Sequence, residues 1–209
     1  MNGLTLLYRD DTLLAVDKPA GLLAVPGRGE AKQDCVARRV QAGHPQALVV
    51  HRLDEATSGV MLFGLGADAQ RALSIAFAER RVAKRYEALV HGLPTDDEGV
   101  IDLPLAADWP NRPRQQVDRE RGRPSRTAWR VIARDVGSER TRLTLEPHTG
   151  RSHQLRVHLA AIGHPIIGDA LYGPRAAAPA PRLMLHACEL RFAHPVDGRA
   201  VAIGSVLPF

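Results

Sequence analysis

The chain has 209 residues, 44% hydrophobic and 24% charged, ordinary proportions for a globular protein with a real core. No apolar run nears the roughly 18–20 residues of a membrane span, and Met1-Asn2-Gly3-Leu4 does not open a signal peptide, so the expectation is a cytoplasmic protein. Two cysteines, Cys35 and Cys188, exclude a disulfide scaffold or a four-thiolate zinc site and read as core thiols.

The elements follow in chain order. Leu4–Tyr8 and Thr12–Val16 predict strands joined by a turn at Arg9-Asp10-Asp11. Leu22–Val25 is a short extended piece after Lys18-Pro19-Ala20-Gly21. Asp34–Ala42 predicts a helix capped by Asp34 and stopped by Gly43 and Pro45. Leu48-Val49-Val50 is β-prone and leads into His51-Arg52-Leu53-Asp54, and Val60–Leu65 is again strand-like. Ala67–Arg81 has helical spacing, and Arg85–Val90 alternates as a strand does.

Leu93–Pro124 is rich in Pro and Arg and reads mostly as loop, with room for a short hairpin. Thr127, Trp129, Val131 and Ala133 alternate with Arg126, Arg130 and Arg134, and Leu143 and Leu145 continue the pattern in a second strand. Leu155, His158, Leu159 and Ile162 then set a helical period, with Ser152 as N-cap and Gly163 and Pro165 as the stop. Ala176–Pro181 is a low-complexity loop, and Leu183–Phe192 and Val201–Val206 are β-rich. Strands with a few inserted helices, without βαβ alternation, predict an α+β fold with a mixed, largely antiparallel sheet, as one domain spanning 1–209.

Charge is the informative part of the composition. The formal net charge is +5 and the pI is near 9.8. Only Lys18, Lys32 and Lys84 are lysines, which leaves 25 arginines among the 28 basic residues. Seven arginines (112, 114, 119, 121, 123, 126, 130) lie between Asn111 and Arg130 with only Asp118 and Glu120, so this stretch holds the whole excess. Such a patch suits a polyanion such as nucleic acid; a solvated Arg-rich loop is the plain alternative.

Four constellations carry chemistry. His51-Arg52-Leu53-Asp54-Glu55-Ala56-Thr57-Ser58-Gly59 joins two strands and sets a carboxylate beside a guanidinium. An Asp next to Arg is held ionised, ready as nucleophile or base, although a surface turn has the same composition. Thr149-Gly150-Arg151-Ser152 enters a helix, where free N–H groups and an Arg suit phosphate or ordinary capping. Arg156 shares a face with Ser152 and lies beside the apolar stripe, where it can turn inward to a carboxylate. His148, His153 and His158 are five apart, the wrong spacing for one metal on one helix, and His158 reads as a core histidine. Tyr86, flanked by Lys84 and Arg85, suits packing or stacking on a base. With that histidine spacing and no Cys or carboxylate cluster beside it no metal is expected, and with no glycine-rich nucleotide loop no nucleotide cofactor is expected.

Three of these segments resemble ordered motifs of the large-subunit ribosomal branch of pseudouridine synthases. Residues 51–59 are similar to H-R-L-D-x-x-T-S-G, Lys84-Arg85-Tyr86 to K-x-Y, and Thr149–Arg156 to T-G-R-[ST]-H-Q-L-R. His164–Asp169 and Leu183–Ala187 match later segments. Asp108–Pro113 and Ala180–Leu183 are similar to the branch that modifies both large-subunit rRNA and tRNA.

The resemblance implies a pseudouridine synthase fold and isomerisation of uridine in RNA stem-loops, without cofactor. It implies Asp54 as the catalytic carboxylate, Arg156 as its ion-pair partner and Tyr86 stacked on the uracil. Arg52 would fill the gap left by a flipped base, while Thr57, Arg151, Ser152, Leu155, Arg112 and Arg114 would hold RNA. The expected partner is RNA and the expected state a monomer. A non-catalytic RNA-binding protein of the same fold and a nucleic-acid N-glycosylase are the alternatives.

Overall fold

The computed structural model describes residues 3–174 and 180–209. The predicted loop over 176–181 falls largely outside them. Twelve strands and three α-helices are present among the described residues. They fall into two compact units, Met1–Lys84 with His186–Pro208, and Arg85–Leu185 with Phe209.

The first unit contains β1 (Thr5–Arg9), β2 (Leu13–Lys18), α1 (Val36–Gln41), β3 (Ala47–Val49), β4 (Ser58–Leu65), α2 (Ala67–Ala78), most of β11 (Leu185–Ala193) and β12 (Ala200–Gly204). β2 is flanked by β1 and β4, β3 also pairs with β4, and β12 pairs with β11, all antiparallel. β4 and β11 run parallel, with Ser58 opposite His186 and Gly59 opposite Ala187.

β2 and β4 are continuous apolar runs because both faces are covered. On one face Leu13, Ala15, Val60 and Leu62 pack with Leu73 and Ala76 of α2 and Phe192 of β11. On the other, Leu14, Val16, Met61 and Phe63 pack with Val36, Ala37 and Val40 of α1. Each fully buried Val, Leu, Met or Phe among them contributes about 1.5–3 kcal/mol. Cys35 and Cys188 are free and buried, as core thiols should be.

The cap of α1 differs from the expectation. Cys35 takes the N-cap position and its Sγ accepts from Arg38 N at 3.5 Å. Asp34 instead bonds Arg39, at 2.7 Å from Nε to Oδ1. An ion pair within reach of the carboxylate outcompetes the helix end for it.

The second unit contains most of β5 (Ala83–His91), then β6 (Glu98–Asp102), β7 (Leu105–Ala107), β8 (Gln115–Val117), β9 (Arg126–Asp135), β10 (Arg140–Pro147) and α3 (Gln154–Ala161). β5, β10, β9 and β6 form an antiparallel sheet in that order. β7 and β8 form a separate hairpin inside the Arg-rich stretch.

The alternation read along β9 holds as far as Val131, opposite Leu143. There a register shift places Ala133 opposite Arg142, so Ala133 is exposed rather than inward. One extra residue in a bulge reverses the facing of everything beyond it.

Candidate active site

Asp54 sits on the connection between β3 and β4, and that connection is fastened from below. Thr57 N donates to Asp54 O at 3.1 Å, closing the turn, and Thr57 is buried at 3% exposure. Leu53 points into the core at 8%. Arg52 is exposed and Asp54 half-buried. The alternation of in and out along Arg52-Leu53-Asp54 is what an extended segment at a core edge produces.

Lys18, at the end of β2, is wholly buried. Its Nζ donates to Glu55 O at 2.9 Å, Leu22 O at 2.6 Å and Pro19 O at 2.9 Å. Three carbonyl dipoles thus surround one ammonium, and one of them belongs to the residue after Asp54. Gly21 N donates to the same Glu55 O at 2.9 Å. Lys18 was not singled out from sequence; the signal available was a rare lysine directly after an apolar strand.

The far end of the loop is held by glycine and histidine. Gly59 has φ +119° and lies against the Ala187 backbone, so a Cβ there would collide with main chain. Ser58 Oγ is 2.7 Å from His186 Nδ1, whose Nε2 is 3.0 Å from Ser205 Oγ. At the head of the motif, Leu62 N donates to His51 Nε2 at 3.0 Å, and the His51 ring stacks on Phe77 with centroids 4.6 Å apart. Desolvation first, and the charge of Lys84 second, push the His51 pKa down to about 3, so it is a neutral acceptor at neutral pH. Desolvation, aided by Arg80, also brings Lys84 down to about 8.

In the second unit, Tyr86 lies half-buried on β5 opposite Leu145. Arg156 turns inward from α3 at 4% exposure. Its Nε and Nη2 both donate to Asp169, at 2.7 Å each, a bidentate pair. Asp169 Oδ1 also accepts from Leu171 N at 2.9 Å and Tyr172 N at 3.1 Å. Burial alone would raise the Asp169 pKa, but Arg156 and the two N–H groups outweigh it and hold the carboxyl below its usual range. The inward carboxylate expected for Arg156 from helix spacing is therefore present, as Asp169.

The entry to α3 corrects the capping expectation. His153, not Ser152, occupies the N-cap position, with φ 54°, and Ser152 is exposed. Gln154 does the fastening: its Oε1 accepts from Thr149 Oγ1 at 2.7 Å and Arg151 N at 3.1 Å. Its Nε2 donates to Arg126 O and Thr127 Oγ1, at 3.0 Å each. Arg151 is half-buried and Leu155 buried at 7%.

His158 is the core histidine expected. Its Nε2 lies 3.0 Å from Leu103 O and its Nδ1 2.9 Å from Thr127 Oγ1. All seven arginines from Arg112 to Arg130 are exposed.

Tyr172 gathers several of these groups. Its hydroxyl accepts from Gln115 N at 2.7 Å and lies 2.7 Å from His153 Nδ1. The Arg114 and Arg156 guanidiniums lie 5.2 and 5.1 Å from its ring centroid. Among the described residues no group of His, Cys, Asp and Glu is arranged to hold a metal ion. No helix among them is long and apolar enough to cross a membrane.

Residues 12–161 match the RNA pseudouridylate synthase family. The chain belongs to that family. It is 49% identical over 208 residues to the dual-specificity RNA pseudouridine synthase RluA of Escherichia coli K12, covering 99% of this chain and 94% of that protein. It is 52% identical over 193 residues to RluA of Yersinia pestis, covering 92% and 93%. Among solved structures, human RNA pseudouridylate synthase domain containing 1 superposes with a TM-score of 0.82 at 30% identity, covering 99% of this chain and 84% of that one. Family membership accounts for the α+β fold.

Proposed function

We propose that the protein is an RNA pseudouridine synthase in which Asp54 attacks or promotes departure at C1′ of a flipped uridine. The N1–C1′ bond breaks, the uracil turns, a C5–C1′ bond forms, the C5 proton leaves to solvent and N1, now free of the sugar, takes up one proton. Atoms balance without any co-reactant, so no cofactor is called for. The observation that carries the reading is the match to the family over residues 12–161, with a carboxylate on the fastened loop after Arg52.

Arg156 pairs with Asp54 in this proposal, keeping the carboxylate charged. Tyr86 stacks on the uracil and assists removal of the C5 proton. Arg52 takes the place of the flipped base, a step that costs a few kcal/mol. Exposed Ser152, with Arg151, Arg112 and Arg114, meets phosphate, while buried Thr57 and Leu155 shape the walls behind. The substrate is a stem-loop of large-subunit rRNA, of tRNA, or of both, an assignment supported by the names of the curated relatives. The enzyme works as a monomer, in the cytoplasm.

The test is RNA tritiated at uracil C5, incubated with wild type and with Asp54→Asn. Wild type releases tritium with the RNA chain intact, and Asp54→Asn releases none. Release by Asp54→Asn at the wild-type rate overturns the assignment. Free uracil would indicate a glycosylase, and binding without release an RNA-binding protein.

A further inference from the structure

Trp109 is 68% exposed, in a chain with only two tryptophans. Left bare, an indole on a monomer surface is a cost; here one face is occupied. The Arg112 guanidinium lies 3.4 Å from the ring centroid, close enough for flat stacking. Arg112 is not drawn away by a carboxylate among the described residues. The nearby Asp108 accepts from Asn111 Nδ2 on both oxygens, at 3.0 and 2.9 Å. The turn is further closed by Asp108 N to Arg114 O and Arg114 N to Asn111 O, at 3.0 Å each. The indole is therefore presented by a hydrogen-bonded turn rather than by a loose side chain.

That turn is tied to the α3 region. Gln115 N donates to the Tyr172 hydroxyl at 2.7 Å, and Arg114 lies over the Tyr172 ring. Tyr172 in turn meets His153 and Arg156. Trp109 and the proposed catalytic arginine thus belong to one connected cluster.

We infer that Trp109, clamped by Arg112, is a stacking platform for one unpaired base of the substrate loop, and so a determinant of which stem-loop is accepted. The inference rests on the synthase reading above. An aromatic face beside a guanidinium binds nucleotides in the usual way: the ring takes the base and the cation takes the adjoining phosphate. Neither group touches the reacting atoms, so the platform acts on binding.

The experiment is a cycle between protein and RNA. Pseudouridine formation is measured for wild type, Trp109→Ala and Trp109→Phe on a stem-loop and on versions with one loop base at a time replaced by an abasic ribose. Trp109→Ala raises KM roughly tenfold with kcat nearly unchanged, and Trp109→Phe restores most of the loss. At one loop position the abasic substrate penalises wild type about as much, and Trp109→Ala adds nothing further there. Additive losses at every position, or an unchanged KM, overturn the platform while leaving the synthase reading standing. Absence of pseudouridine from wild type would overturn the synthase reading instead. Because Trp109 is exposed, Trp109→Ala keeps the wild-type unfolding temperature.

Discussion

Asp169 accepts two hydrogen bonds from one guanidinium and two from main-chain N–H groups, with its side chain fully buried. Such a pair is dangerous to break and cheap to replace as a whole. Arg156→Met leaves the Asp169 charge buried and costs about 3–5 kcal/mol in urea unfolding. Adding Asp169→Leu recovers much of that stability. Tritium release stays lost in the double variant, because the proposed role of Arg156 toward Asp54 is not restored. Recovery of activity together with stability would show Arg156 to be purely structural. Lys18 illustrates the same chemistry with a neutral partner: a buried cation held by carbonyl oxygens instead of a carboxylate, and a backbone loop fixed instead of a side chain.

At the scale of elements, β4 and the loop before it are held by neutral histidine. Below pH 6.5 an unfolded chain binds a proton at His51 that the folded chain refuses until about pH 3. His91 and His158 are also held below their ordinary value, in both cases chiefly by desolvation. The unfolded state therefore binds more protons in this window, and stability falls as pH drops from about 6.5 toward 3. The lowered Asp169 carboxyl adds its loss only below the ordinary carboxylate range, near pH 4 and under. His51→Gln keeps an acceptor for Leu62 N without a titrating ring. Its stability should fall less steeply between pH 6 and 4.5, by up to about 1.4 kcal/mol per pH unit, measured by chemical denaturation across that range. An unchanged slope would mean that His51 takes up no proton on unfolding.

At the scale of the whole molecule, the excess charge lies on one segment. The Arg112–Arg130 arginines are all exposed, and among them Arg130 is engaged with Glu98 at 3.0 Å. Each arginine that meets a phosphate releases counterions, so RNA affinity should fall steeply with salt. Replacing Arg112 and Arg114 by Glu weakens binding and lowers the slope of log K against log salt by about 1.4–1.8, the contribution of two phosphate contacts. An unaltered slope would make this segment bystander surface.

What sequence determined here is whatever depends on neighbours along the chain. The apolar runs of β2 and β4, the alternation of β10, the start of α2 and the core setting of His158 follow from periodicity, because burial repeats every two or every 3.6 residues. The resemblance named the Asp54 loop and the Arg156 helix for the same reason: each is a contiguous motif. Tertiary structure alone decided the rest. Asp34 and Ser152 are sound N-caps by composition, but Arg39 claims Asp34, and Gln154 with the left-handed His153 displaces Ser152. Ala133 turns outward because one bulged residue shifts the register. Lys18 reaches Glu55 across 37 positions, and Arg156 finds Asp169 only after the chain leaves its helix and returns. A buried charge is satisfied by whichever opposite dipole or charge the fold brings within about 3 Å, and that partner has no fixed offset in sequence.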